Sequence, residues 1–368
     1  SSGTPGTVHG MYEIHKKFGK LSWEQLIQPS ITLASEGFRV TNELAEALKS
    51  EQVKLGKSTN TKKIFFKNGE PLKKDDLLIQ TDLANTLKLI AIYGSDGFYK
   101  GETAQKIALD MSNNGGLITT EDLSGYYSKL KDPIIFNYKN LKIASMPPPS
   151  SGGLLLGLML NMLENFDLSD DPNDVKNILI ISEIMQVAFS LRSKHIGDED
   201  FYPVPIENFL SEDIARELSK NVNTKRTSKN SEINNANIIF KENTTHFSII
   251  DKYGNAVSNT TTLNTGFGSG IVIKDTGILM NNEMDDFSSA PGVENYFSLL
   301  GSEANKIEPK KRPLSSMTPT IVFEDDEVRL ITGAQGGGRI ITAVLQIIIN
   351  YFEYKLSPEL SVSTNRYH

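Results

Sequence analysis

"KENTTHFSIIDKYGNAVSNTTTLNTGFGSG" occupies residues 241–270. A polar tract ends in two threonines, Thr244 and Thr245, that open an alternating apolar strand. A turn at Lys252–Gly254 then sends the chain back as "NAVSNTTTL". Period-two alternation on both sides of a turn predicts a β-hairpin. A threonine at a strand start needs no special explanation, because β-branched residues suit a pleated surface. Its upstream neighbour is less ordinary. Residues 221–243, "NVNTKRTSKNSEINNANIIFKEN", are rich in Asn, Lys and Ser and nearly free of aromatics, which predicts an exposed, mobile loop. Taken alone, that loop reads as an interdomain linker.

The chemistry of threonine offers a second reading. A threonine hydroxyl is a poor nucleophile unless a base sits beside it, and an N-terminal residue carries such a base in its own α-amine. That amine titrates at about 7.7–8.0, near operating pH, which an internal amide cannot match. If the loop is cut immediately before Thr244, an inert internal residue becomes a catalyst.

Working outward, residues 1–222 read mostly as helix. "TVHGMYEIHKKFG" and "SWEQLIQPSITLASEGF" place apolar residues three to four apart and end at Gly19 and Gly37. "TDLANTLKLIAIYG" and "GETAQKIALDMSNNGG" repeat that pattern. "KNLKIASMPPPSSGG" reads as a strand entering a rigid Pro turn, followed by the apolar helices "GLLLGLMLNMLENF" and "VKNILIISEIMQVAFSLRSKHIG". After residue 243 strands dominate: the opening hairpin, a second one in "GSGIVIKDTGILMNN", and a third in "TPTIVFEDDEVRLITG" with an acidic turn. "GGGRIITAVLQIIINYFEYKL" then forms a helix behind a Gly cluster. Helices, then hairpins, then a helix predict an α+β layered domain.

Composition narrows the function. The 368 residues, 38% hydrophobic and 23% charged, describe a globular protein with a sizeable core. A net charge of −7 argues against a nucleic-acid or anionic-membrane partner. With no cysteine, disulfides and thiolate chemistry are excluded. The five histidines lack metal-ligand spacing. The apolar runs Gly153–Met162 and Ile340–Phe352 are too short to span a bilayer. No G-x-S-x-G elbow is present, which sets aside a Ser–His–Asp hydrolase.

Seven motifs occur in order: "GTPGTVHG", "MPPPSSGG", "TTHFSIIDKYGNAV", "TLNTGFGSG", "ILMNNEMDDFS", "KKRPLSSMTPTIV" and "GAQGGGRIIT". Together they resemble the γ-glutamyltransferase (γ-glutamyltranspeptidase) family of N-terminal-nucleophile hydrolases, from Gly3 to His368. The resemblance implies a four-layer αββα sandwich, made as a large portion (1–243, ending in a processing loop at about 221–243) and a small catalytic portion (244–368). The two would pair as a heterodimer cut from one precursor. It implies cleavage between Asn243 and Thr244, with Thr244 as self-processing residue and nucleophile and Thr262 supporting it by a hydrogen bond.

The resemblance also assigns the remaining site residues. Gly336 and Gly337 would offer backbone N–H groups to the oxyanion, at the N-terminus of the following helix. Ser315 and Ser316 would bind the α-carboxylate of the donor, and Asn264, Glu283 and Asp286 its α-ammonium. The chain departs from the common pattern at Ala334, Gln335 and Gly338, and carries Phe297 where many bacterial members have a lid tyrosine. The implied partners are glutathione, other γ-glutamyl compounds and amino-acid or dipeptide acceptors, with no metal or organic cofactor. The implied location is periplasmic or secreted. A segment carrying a carboxylate-binding arginine, and further C-terminal strands, are expected beyond the two ends of these 368 residues. A glutaryl-type β-lactam acylase and a non-catalytic relative are the alternatives. The first would make little use of Asp286, and the second would have no need of Thr244, Thr262 and the paired glycines.

Overall fold

The computed structural model describes residues 1–226, 244–290, 292–296 and 299–368. Asn243, most of the expected processing loop, and Phe297 lie outside the described residues. The chain forms two compact units, each discontinuous in sequence: residues 1–130 with 263–284, and residues 131–262 with 285–368. Each unit therefore takes segments from both sides of the expected cut.

In the first unit the anticipated helices form at Thr7–Phe18, Trp23–Glu36, Thr81–Tyr93 and Gly101–Asn113. Their ends follow from capping. Ser22 and Gln25 make a reciprocal capping box, and the N–H groups of Gly19 and Gly37 close onto His15 and Leu33 carbonyls. Two small cores result, one around Ile90, Phe98 and Ile107, the other around Val40, Leu48 and Leu55. The 263–284 segment stitches them together, since Val272 packs in one and its neighbour Ile273 in the other.

That segment departs from the expected second hairpin. Val272 pairs antiparallel with Leu279, but the pairing stays an isolated bridge. Positive φ at Gly268, Gly270, Asp275 and Gly277 breaks the extended backbone that a ladder needs.

The second unit is built on a four-stranded antiparallel sheet in the order Glu327–Thr332, Thr320–Glu324, Leu141–Ser145, Ile134–Tyr138. The Thr320–Thr332 hairpin turns at Asp325–Asp326 as expected, both at positive φ. Ile134–Tyr138 is a strand that the sequence reading did not contain. It pairs residue for residue with 141–145, which in turn pairs with 320–324. The sheet thus joins a hairpin from the helical half of the chain to one near its end.

One face of this sheet (Ile134, Phe136, Tyr138, Leu141, Ile143, Val322) is buried in the same core as residues of the helices Gly152–Leu163, Val175–His195 and Arg339–Phe352. All twelve residues of Gly152–Leu163 are buried, which explains why its sequence is apolar all round and not striped. The opening hairpin, Thr244–Ile250 with Ala256–Thr262, touches the Thr320–Thr332 strands. A sheet with helices packed in its core and the opening hairpin bonded to its strands makes the unit an α+β structure, as anticipated.

Candidate active site

The 244–262 hairpin is in perfect register over seven pairs, from Thr244 opposite Thr262 to Ile250 opposite Ala256. Because strand side chains alternate, one face carries Thr244, His246 and Ser248 against Thr262, Thr260 and Ser258. The other carries Thr245, Phe247 and Ile249 against Thr261, Asn259 and Val257. The hydroxyl-rich face is the one turned to the sheet. Ser248 Oγ donates to the Ile331 carbonyl (3.2 Å), Ser258 Oγ donates to that of Thr332 (3.0 Å), and Thr320 N–H donates to Ser258 Oγ (3.0 Å). Phe247, Ile249 and Val257, on the opposite face, are exposed.

Thr244 is buried, with 6% of its surface exposed, and its Oγ1 donates to Thr262 Oγ1 at 3.3 Å. Two residues along, His246 Nδ1 bonds Thr260 Oγ1 (2.8 Å) and Nε2 bonds Ser248 Oγ (3.0 Å). Burial holds this imidazole below its ordinary value, favouring the neutral ring. Gly333 lies against it so closely that a Cβ there would stand 2.1 Å from His246 Nδ1. A side chain at Gly333 would have to displace the His246 ring from its two hydrogen bonds.

The chain then turns through Gly336 and Gly337, both at positive φ (120° and 56°), into the helix Arg339–Phe352. Their carbonyls accept from Arg339 and Ile340 N–H at 3.1 Å, starting the helix.

Ser315 and Ser316 sit where two motifs meet. Ser315 N–H donates to the Pro149 carbonyl (2.9 Å), while the Ser315 carbonyl accepts from both the N–H and the Oγ of Ser151 (2.9 and 3.0 Å). Ser150 Oγ donates to the Met317 carbonyl at 2.7 Å. The 147–153 stretch, which opens the apolar helix Gly152–Leu163, thus clamps the serine pair by its backbone. Arg192 completes the clamp. Its Nε donates to Ser151 Oγ (2.8 Å) and its Nη2 to Ser316 Oγ (2.9 Å). The arginine is 3% exposed, and burial pulls it down to about 10, with the Asp286 carboxylate acting in the opposite sense. Asp286 closes the 3-10 turn Glu283–Asp286, and its carbonyl accepts from Asn305 Nδ2 (2.7 Å).

The second unit therefore holds Thr244, Thr262, Asp286, Ser315, Ser316, Gly336 and Gly337. Asn264 and Glu283 belong to the first unit. Asn264 is buried there at positive φ, its Nδ2 donating to the Asn282 carbonyl (3.2 Å), and Glu283 N–H donates to Asn281 Oδ1 (3.0 Å).

Arg192 and Ser151 were not among the candidate site residues read from the sequence, yet a signal was present. Ile180, Ile184, Ala188 and Arg192 recur every four residues and are all buried, so the arginine stands on the core-facing stripe of its helix. A cation in that position demands polar partners.

Comparison with known proteins bears on the fold and the family. The chain is similar in structure to cephalosporin acylase from Bacillus halodurans, with a TM-score of 0.83 and 25% identity, covering 97% of this chain and 64% of that one. It is also similar to Helicobacter pylori γ-glutamyltranspeptidase, with a TM-score of 0.61 and 39% identity, covering 64% of this chain and 69% of that one. These matches define an α+β fold of the kind used by N-terminal-nucleophile hydrolases. The family model described as "Gamma-glutamyltranspeptidase" matches residues 1–368, and the chain belongs to that family. It is 44% identical over 372 residues to a glutathione hydrolase proenzyme of Escherichia coli (strain K12), covering 100% of this chain and 64% of that protein's length. Among the described residues no helix is long and apolar enough to cross a membrane.

Proposed function

We propose that this chain supplies the nucleophile and much of the donor pocket of a γ-glutamyltransferase that also hydrolyses glutathione. The observation that carries the reading is the Thr244–Thr262 hydroxyl pair at the first register position of the hairpin, directly after the expected processing loop. Family membership and the proenzyme name of the E. coli relative support it.

In the first reaction Thr244 Oγ1 attacks the Asn243 carbonyl carbon, the Asn243–Thr244 C–N bond breaks, and the acyl group shifts to oxygen. Water hydrolyses that ester, leaving an Asn243 carboxylate and a free Thr244 α-amine. In the second reaction this amine takes the Thr244 hydroxyl proton as Oγ1 attacks the γ-carbonyl of the donor. Gly336 and Gly337 N–H groups stabilise the oxyanion, and the departing amine carries the proton away. Water or an amino-acid or dipeptide amine then attacks the acyl-enzyme. Ser315 and Ser316 hold the donor α-carboxylate, and Asp286 its α-ammonium. The two chains remain associated as a heterodimer in a periplasmic or extracellular setting, and no metal or organic cofactor enters any step.

An acylase acting on a glutaryl side chain shares the nucleophile but offers Asp286 no ammonium. The deciding experiment uses the full-length protein carrying this chain, assayed side by side on γ-glutamyl and glutaryl anilides after sequencing of its mature chains. A small chain beginning Thr-Thr-His-Phe-Ser and preference for the glutamyl compound are expected. Preference for the glutaryl compound would transfer the assignment to the acylase reading.

A further inference from the structure

The serine pair and its arginine differ in how their hydrogens are committed. Ser151 accepts from Arg192 Nε and spends its own O–H on the Ser315 carbonyl. Ser316 likewise accepts from Arg192, through Nη2, but among the described residues no acceptor takes its O–H. A hydroxyl offers one proton and two lone pairs. With a guanidinium N–H filling one lone pair, the Ser316 hydrogen is turned away from Arg192. Donation by a cation also polarises the O–H bond, strengthening Ser316 as a donor to an anion.

Arg192 is well placed to hold this state. It lies in the last turn of Val175–His195, where the helix dipole favours a cation, and its buried fork is fixed at two points. Ser151, its other anchor, also pins the Ser315 backbone. One planar side chain therefore ties the helix, the 147–153 turn and the 315–317 turn to a common geometry.

We propose that Arg192 is a positioning residue for donor recognition: it orients and polarises the Ser316 hydroxyl, using Ser151 as its second anchor, so that its charge reaches the donor carboxylate through Ser316. This rests on the assignment of Ser315 and Ser316 to the α-carboxylate.

The test compares a γ-glutamyl anilide with its α-carboxamide counterpart, in the full-length protein and in Arg192→Gln, Arg192→Lys, Ser151→Ala, Ser316→Ala and the Arg192→Gln/Ser316→Ala double variant. Arg192→Gln should raise KM for the carboxylate substrate about ten- to a hundredfold, the scale of a charge-assisted hydrogen bond. KM for the carboxamide should move less than about threefold, as expected of a group whose charge matters only to an anion. The double variant should be no worse than Ser316→Ala alone, because the arginine acts through that hydroxyl. Arg192→Lys should recover part of the loss, since an ammonium keeps the charge but lacks the two-pronged geometry.

Equal losses on both substrates, or additive losses in the double variant, would overturn the proposal by making Arg192 a general structural residue. Should Arg192→Gln fail to accumulate, Ser151→Ala decides. It leaves the charge in place and frees one anchor, so only the carboxylate substrate should suffer; no effect, or an equal effect on both, overturns the proposal. A wild-type protein that ignores the difference between carboxylate and carboxamide removes the carboxylate assignment itself, and the proposal with it. A wild-type preference that survives every Arg192 variant removes the proposal alone.

Discussion

Two hydroxyl pairs in the second unit are built on opposite principles. Thr244 and Thr262 face one another across a hairpin and bond directly, neutral group to neutral group. Ser315 and Ser316 are held from outside, by a clamped backbone and a buried guanidinium with Asp286 acting on it. The contrast follows from what each pair would do. A nucleophile must give up its proton, and a permanent cation or anion beside it would hold its protonation state at one extreme in a low-dielectric site. In the proposed mechanism its base arrives only with cleavage, as the α-amine. In the proposed reading a pair that recognises a carboxylate benefits from a permanent positive charge, and Arg192 would supply one through Ser316.

The strongest way to break this comparison is to remove the nucleophile. Thr244→Ala is expected to leave the full-length protein as one uncut chain with no detectable turnover. Thr245→Ala, whose side chain lies on the opposite face, should still be cut. Cleavage surviving in the first variant, on a denaturing gel, would strip Thr244 of its role.

Asp286→Ala comes next and tests the charged pair. Leaving a bound ammonium without its carboxylate costs about 3–5 kcal/mol, roughly two to four orders of magnitude in KM or kcat/KM for γ-glutamyl donors. Both mature chains should still form. Glutathione turnover close to wild type would rule out the amine pocket.

Thr262→Ala sharpens the neutral side. One net hydrogen bond is worth about 0.5–1.5 kcal/mol, so self-cleavage and turnover should each slow by about three- to tenfold, with Thr262→Ser close to wild type. Time courses of chain formation measure this directly, and an unchanged rate in the alanine variant would leave Thr262 a strand residue only.

The smallest effect concerns pH. His246 has its folded value lowered from 6.5 by burial, so the unfolded chain takes up a proton first. Its contribution to stability is full above about 6.5 and declines as pH falls through that value toward the lower folded one. Melting temperatures should drop over that acid window, and His246→Gln should flatten that part of the profile. An identical slope in the variant would place the acid sensitivity elsewhere.

How far these features were legible beforehand depended on where their information lay. The helices ending at Gly19 and Gly37, the 244–262 hairpin and the 320–332 hairpin could be read directly, because caps, turns and period-two alternation are local. The 268–282 stretch misled because alternation gives no warning of positive φ at four positions. Ile134–Tyr138 went unread because five residues carry little pattern of their own; its pairing with Leu141–Ser145 and burial against the helices make it a strand.

By itself, the sequence determined the local elements and, through its ordered motifs, the family and the candidate residues from Thr244 to Gly337. Tertiary structure alone decided that Arg192, more than a hundred positions from Ser316, reaches its hydroxyl, and that Ser151 anchors the other end of the guanidinium. The physical reason is that periodicity and capping act over a few residues of chain. Hydrogen bonding and desolvation act over a few ångströms of space, and only folding converts one kind of distance into the other.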